Sequence, residues 1–175
     1  MRKFSFLLLV LGLALPASAL ETWTTFQDES ASFTIEVPAA PKVEHFKTKM
    51  EDGRELPTST YTIDLGEVAM MVMVGDLLGI QKDPVQILDD TVGGVAEGKT
   101  LVSKVEDSLD GYVGRHAKIL DKDGNLYNDR VFLIDGKLYQ LLTIEFSAAS
   151  PEKRAEVERV LKSLHFPAKK KEKKK

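Results

Sequence analysis

The sequence predicts an α+β fold: a mainly antiparallel β-sheet covered by two amphipathic helices. Three observations predict it. Residues 125–146 place two β-rich runs on either side of Asp135-Gly136, a dipeptide that supplies positive φ at both centres of a two-residue hairpin turn. Residues 68–74 (VAMMVMV) are apolar on both faces, as a strand covered on two sides requires. Asp83-Pro84 and Ser150-Pro151 each set a capping side chain before a proline, and each opens a helical apolar pattern.

The N-terminus stands outside the fold. Arg2 and Lys3 precede an apolar run of twelve residues, 4–15; Pro16 breaks it, and Ala17-Ser18-Ala19 offers a small-x-small cleavage site. This is the pattern of a secretory signal peptide over residues 1–19, too short for a membrane span of roughly 20 apolar residues. No later run reaches spanning length. The chain has no cysteine, which excludes an acylated lipoprotein and disulfides. The expected address is the periplasm, with full secretion as the alternative. About 150 residues, 20–168, then form one domain, long enough to bury about two-thirds of the surface of the unfolded chain.

Charge divides the chain. Setting aside Arg2, Lys3 and six tail lysines leaves 16 of 24 basic residues, and setting aside Glu172 leaves 26 of 27 acidic ones, so residues 20–168 carry −10. Such a body is a poor partner for nucleic acid, whose affinity comes mostly from neutralised phosphates. Residues 169–175 (KKKEKKK) have nothing to bury and read as a disordered tail.

In chain order, residues 22–26 and 32–37 are short strands, with Phe33, Ile35 and Val37 on one face and Trp23 and Phe26 as core anchors. Pro38 and Pro41 stop the second strand. Residues 43–50 alternate weakly, Glu51-Asp52-Gly53-Arg54 turns, and residues 58–65 are β-rich in Thr, Tyr and Ile. After the two-faced strand, Val85, Leu88, Val92 and Val95 form the stripe of the first helix. Gly93-Gly94 is expected to end that helix early or to allow close approach to the sheet. Residues 100–108 return to strand, and Asp110-Gly111 turns. A three-stranded meander follows through residues 111–146, with a second turn cluster at residues 121–125. Ala155, Val157, Val160, Leu161 and Leu164 face inward from the last helix.

With these elements in place, a resemblance emerges. Trp23-x-x-Phe26, then Phe33-x-Ile35-x-Val37-Pro38-x-x-Pro41, resembles the start of PsbP-like (DcrB-like) domains. Gly111-Tyr112-x-Gly114-Arg115, residues 130–134 and 136–141, and the closing residues 160–166 are similar in the same order. The resemblance covers residues 23–166 and implies an α-β-α sandwich that serves as a docking scaffold. It implies no catalytic motif.

Candidate chemistry is sparse. Asp121, Asp123, Asn125 and Asp129 place oxygen groups at the spacing of a calcium loop, but glycine falls at the fourth position and Phe132 at the twelfth, where an EF-hand needs glycine at the sixth and glutamate at the twelfth. The alternative is a hairpin turn. Met70, Met71 and Met73 read as core rather than as soft-metal ligands. His45, His116 and His165 are scattered. Carboxylate pairs such as Asp89-Asp90 and Glu106-Asp107 read as solvated faces. No serine elbow, cysteine nucleophile, phosphate loop or cofactor motif is present. The expected function is that of an exported, non-catalytic binding or accessory protein of the cell envelope, with no cofactor and an unidentified envelope protein or ligand as partner. Two alternatives stand: an enzyme of hydrolase type with a site formed only in the fold, and a structural envelope protein. The latter would reach an anionic membrane through Lys169, Lys170, Lys171, Lys173, Lys174 and Lys175.

Overall fold

A computed structural model describes residues 22–28, 30, 32–49, 53–77 and 79–168. The expected signal peptide, the Lys tail and Glu51-Asp52 lie outside the described residues. The elements are β1 (Thr24–Gln27), β2 (Thr34–Val37), β3 (Lys42–Lys49), β4 (Glu55–Asp64), β5 (Val68–Asp76), α1 (Pro84–Ala96), β6 (Thr100–Leu109), β7 (Tyr112–Leu120), β8 (Leu126–Ile134), β9 (Lys137–Glu145) and α2 (Pro151–Ser163). Seven strands form an antiparallel sheet in the order β3-β4-β5-β9-β8-β7-β6. β1 and β2 form a separate hairpin.

The meander is β7-β8-β9. Asp135 and Gly136 have φ of +49° and +78°, and Asp110 and Gly111 have +51° and +84°. Both two-residue turns thus take the left-handed geometry whose twist matches that of their strands. β9 is the central strand. Tyr139, Leu141 and Thr143 point to one face; Leu138 and Gln140 point to the other.

Each face has its own core. On one, Val68, Met70 and Val72 of β5, Tyr139 and Leu141 of β9, and Phe132 and Ile134 of β8 pack with Val157, Val160 and Leu164. The β1–β2 hairpin lies on this face too, burying Phe33, Ile35 and Val37, with Trp23 and Phe26 half-buried against them. On the other, Ala117, Ile119, Val131 and Leu138 pack under Leu88 and Val92 of α1. Asp83 caps α1 by accepting from Gln86 N at 3.0 Å, and Ser150 caps α2 by accepting from Lys153 N at 3.4 Å.

Coverage is partial and diagonal. α1 packs on β7 and β8; α2 packs on β2, β9 and β5. β3 is exposed along its whole length, and β6 nearly so. Two quadrants of the sheet therefore lie open, β6–β8 on the α2 face and β3–β5 on the α1 face. Three smaller expectations also change. Gly93 and Gly94 neither end α1 nor allow a close approach, since nothing lies within 4 Å of a Cβ at either position. Val85 and Ala155 are exposed rather than inward-facing. Among the described residues no helix is long and apolar enough to cross a membrane.

A mixed-charge cleft on the open quadrant

The open quadrant beside α2 is a cleft of about 590 Å³. Strand alternation builds its floor. β7 sends Ala117 and Ile119 under α1 and His116 and Lys118 into the cleft; β8 sends Val131 under α1 and Asn128 and Arg130 into the cleft. Arg154, Glu158, Leu161 and Lys162 of α2 form the wall, and Asp107 of β6 and Glu145 of β9 close the sides. Val105 and Leu120, 55% and 39% exposed, lie beside it on the same face.

Most of its charges are already paired. Arg130 Nε donates to Asp107 Oδ2 at 2.7 Å, and its Nη1 donates to the Leu161 carbonyl at 2.5 Å, tying β6 and β8 to α2. Asn128 Nδ2 donates to Glu145 Oε1 at 3.1 Å, while Arg154 lies 3.6 Å from the other carboxylate oxygen. Lys162 pairs with Glu158 at 2.8 Å and, with Lys118 adding, holds that carboxyl below its usual range. Lys118 makes no ion pair among the described residues. Burial holds the His116 imidazole below its ordinary value; Asp107 opposes this, and Arg130 and Lys118 add to it. His116 is thus neutral at pH 7, and its Nε2 is buried without a partner. Four cations against three anions line the cleft, so it is locally positive on an acidic body. Held by ion pairs on rigid strands, it suits a charged partner surface better than a single small anion.

The other open quadrant is an apolar hollow of about 230 Å³, where Leu56, Met73, Leu77, Ile80, Ile87 and Leu138 meet beneath an exposed Lys82–Asp90 ion pair. A larger concavity, of about 890 Å³, runs along the outside of α2. It is a wide, open surface crossed by an Arg159–Glu36 ion pair, with Arg159 stacked 4.1 Å from the Trp23 ring centre.

The expected calcium ligands divide. Asp121, Asp123 and Asn125 meet in the β7–β8 turn, where Asp121 Oδ1 accepts from Asp123 N and Asn125 N, both at 2.9 Å, and Oδ2 accepts from Asn125 Nδ2 and Tyr127 Oη. Burial would raise this carboxyl, but those hydrogen bonds outweigh it and hold it low. Asn125 Oδ1 is taken by Ser147 N at 3.0 Å. Asp129 is elsewhere, on β8 facing α1, with no exposed surface. Gln140 Nε2 donates to its Oδ1 at 3.0 Å; its Oδ2 has no partner, and burial pushes its pKa up to about 7. Among the described residues no three His, Cys, Asp or Glu side chains converge as metal ligands.

The histidines stay apart. His45 Nδ1 lies 2.8 Å from Ser59 Oγ across β3 and β4; His165 lies 3.4 Å from Asp110; His116 is in the cleft. Met70 is buried among apolar neighbours, and Met71 and Met73 point to the opposite face. Sequence reasoning missed the Arg130–Asp107 tie, and it named His116 and Asp129 without the cleft that holds the one or the buried site that isolates the other. The available signal was three consecutive polar residues, 128–130, inside an otherwise apolar strand.

No family profile matches the chain, and no curated protein does. Solved structures do. It matches PA94 from Pseudomonas aeruginosa, a protein of unknown function, with a TM-score of 0.47 and 9% identity over 85% of this chain and 99% of that one. It is also similar to the solution structure of cyanobacterial PsbP (CyanoP) from Synechocystis sp. PCC 6803, with a TM-score of 0.55 and 14% identity over 90% and 99% of the two chains. The seven-stranded antiparallel sheet and its two helices thus form a fold like that of cyanobacterial PsbP.

Proposed function

We propose that this chain is an exported, non-catalytic binding or accessory protein of the bacterial cell envelope, docking its partner at the cleft between α2 and β6–β8. The observation that carries this is the uncovered sheet face: a firmly held mixed-charge floor, with Lys118 in no ion pair among the described residues and apolar Val105 and Leu120 beside it. Interfaces of stable complexes combine these features, an apolar contact within a polar, hydrogen-bonding surround. Export rests on the basic, apolar and small-residue order of residues 1–19. The test is a cross-linked pull-down from envelope fractions with wild type and Lys118→Glu. Lys118 holds no ion pair among the described residues, so its replacement leaves the Arg130–Asp107 tie in place. A partner recovered by wild type and lost with the variant supports the docking site. Equal recovery by both moves the site elsewhere, and recovery of nothing under several salt conditions removes the docking function.

One contact favours the enzymatic alternative. His45 and Ser59 form a hydrogen-bonded base–hydroxyl pair in a hollow with Asp28, Asp76 and Lys137. Asp28, the acid that could orient a base there, is engaged by Ser30, Ser32 and Phe33 of its own loop. Burial would raise its carboxyl, but those bonds outweigh it and hold the group low. Hydrolysis of an activated ester by wild type but not by Ser59→Ala would establish this reading in place of the first.

A further inference from the structure

β6 is an outer strand. It pairs with β7, and among the described residues its far edge has no neighbouring strand. Residues 100–106 are all exposed, with Val102 57% and Val105 55% exposed. An edge of this kind presents an open row of backbone N–H and C=O groups, ready for another strand. The order of charges along it decides which strand fits.

In an antiparallel ladder, directly opposed residues share a face of the sheet. Two copies related by a twofold axis through the β6 edge can therefore centre on one residue and its counterpart. Centred on Lys104, the pairing sets two lysines against each other. Centred on Glu106, it opposes two glutamates. Centred on Val105, it sets Lys104 against Glu106 of the second copy, and symmetry repeats this pair. Val105 then packs on its counterpart, and Ser103 opposes Asp107. The shift in β6–β7 register between Leu101 and Ser103 breaks the regular edge just before this window, which limits slippage toward the other alignments.

We propose that β6 pairs antiparallel with β6 of a second copy of this chain, in the register centred on Val105. The two seven-stranded sheets become one continuous sheet, and the two mixed-charge clefts meet across the seam, with the Val105 pair between them.

The test is a charge exchange on the full chain, expressed with its own N-terminal segment and purified as the cell leaves it. Sedimentation equilibrium from about 10 µM to about 1 mM follows the dimer. Lys104→Glu opposes two glutamates at each symmetric position, and Glu106→Lys opposes two lysines. Each should weaken dimerisation about tenfold or more, because the altered pair occurs twice. Asp89 keeps Arg115 as a cationic partner when Lys104 is replaced. The doubly exchanged chain should dimerise within about threefold of wild type, as should an equimolar mixture of the two single variants, since both restore opposite charges. Recovery in the mixture also shows that each variant is folded. A monomeric wild type across this range, single variants that dimerise as wild type does, or a mixture that stays monomeric would each overturn the proposal.

Discussion

Replacing Asp129 with asparagine keeps the shape of the side chain and removes its charge. The wild-type carboxyl has no exposed surface, one hydrogen bond from Gln140 and one oxygen without a partner. Burial raises its pKa from 3.8 to about 7. The folded chain therefore binds this proton more tightly than the unfolded chain does. The stability that the neutral carboxyl allows is fully present below about pH 4, is lost progressively as pH rises, and is gone above about pH 7. At 1.36 kcal/mol per pH unit, the interval from 3.8 to about 7 corresponds to about 4 kcal/mol. The substituted amide titrates nowhere in this window. Urea unfolding of both proteins from about pH 4 to about pH 8 isolates the residue, because the other ionisable groups are common to both and largely cancel in the difference. The advantage of Asp129→Asn over wild type should grow by about 4 kcal/mol across that range, whatever its constant offset. Parallel curves, diverging by less than about 1 kcal/mol, would show that the carboxyl reaches water or a cation in the folded chain and would refute the reasoning.

Gly114→Ala should destabilise the fold by about 1–3 kcal/mol in the same assay, because a Cβ there would fall 2.3 Å from the Val131 carbonyl and 2.5 Å from the Phe132 ring. Arg130→Met should cost about 3 kcal/mol by stranding Asp107, which is largely covered, and by freeing the Leu161 carbonyl; a loss below about 0.5 kcal/mol would mean that the tie is solvated. Calcium titrated calorimetrically should give no heat at millimolar concentration, because the Asp121 oxygens already accept four hydrogen bonds and Asp129 points away. Liposome co-sedimentation on anionic vesicles should fall when residues 169–175 are deleted, and equal binding would exclude the tail as a membrane contact.

The parts of the fold legible in the sequence were those fixed by neighbours in the chain. Asp110-Gly111 and Asp135-Gly136 turn because two adjacent residues need positive φ, and Asp83 and Ser150 cap because their side chains reach backbone three residues on. The apolar run at residues 68–74 placed a strand inside the sheet, but not one covered on two sides: α2 covers one face, and Met71 and Met73 lie on the open one. Its pattern could not reveal that β2 would bury Phe33, Ile35 and Val37 as part of a separate hairpin, since four-residue strands carry too little pattern to choose a partner. The calcium spacing divides between a turn and a strand for a local reason. It counts positions as if residues 121–129 were one loop, but β8 begins at Leu126, and strand alternation turns Asp129 under α1. The cleft left no motif because its residues come from four strands and a helix. The run Asn128-Asp129-Arg130 was visible, but only the fold shows that alternation sends its outer members to the cleft and its middle one to the opposite face.

Strand order explains why the sheet has two open quadrants, and why they differ. β5 is third across the sheet and β6 is seventh, so the chain between them must cross the α1 face over β9, β8 and β7. α1, thirteen residues long, packs on β7 and β8 along that crossing and leaves β3–β5 uncovered. α2 follows the central strand β9 and stays over β9 and β5, held on its outer side by β2 and the Arg159–Glu36 pair. On that face Arg130 of β8 joins the Leu161 carbonyl of α2 to Asp107 of β6, and the segment after α2 meets β7 at Tyr112, which packs on Phe166 and donates to the Pro167 carbonyl. Composition then follows exposure. The quadrant left by α1 abuts β5, whose Met71 and Met73 follow from the two-faced apolar run, and it is apolar. The quadrant left by α2 lies on the outer strands, where alternation already opposes a buried face to a wet one, and it is charged. A partner that reads charge should therefore find the β6–β8 side. Filling the apolar hollow with Thr58→Leu should leave its capture unchanged, whereas Lys118→Glu should abolish it; the reverse result would assign docking to the opposite face.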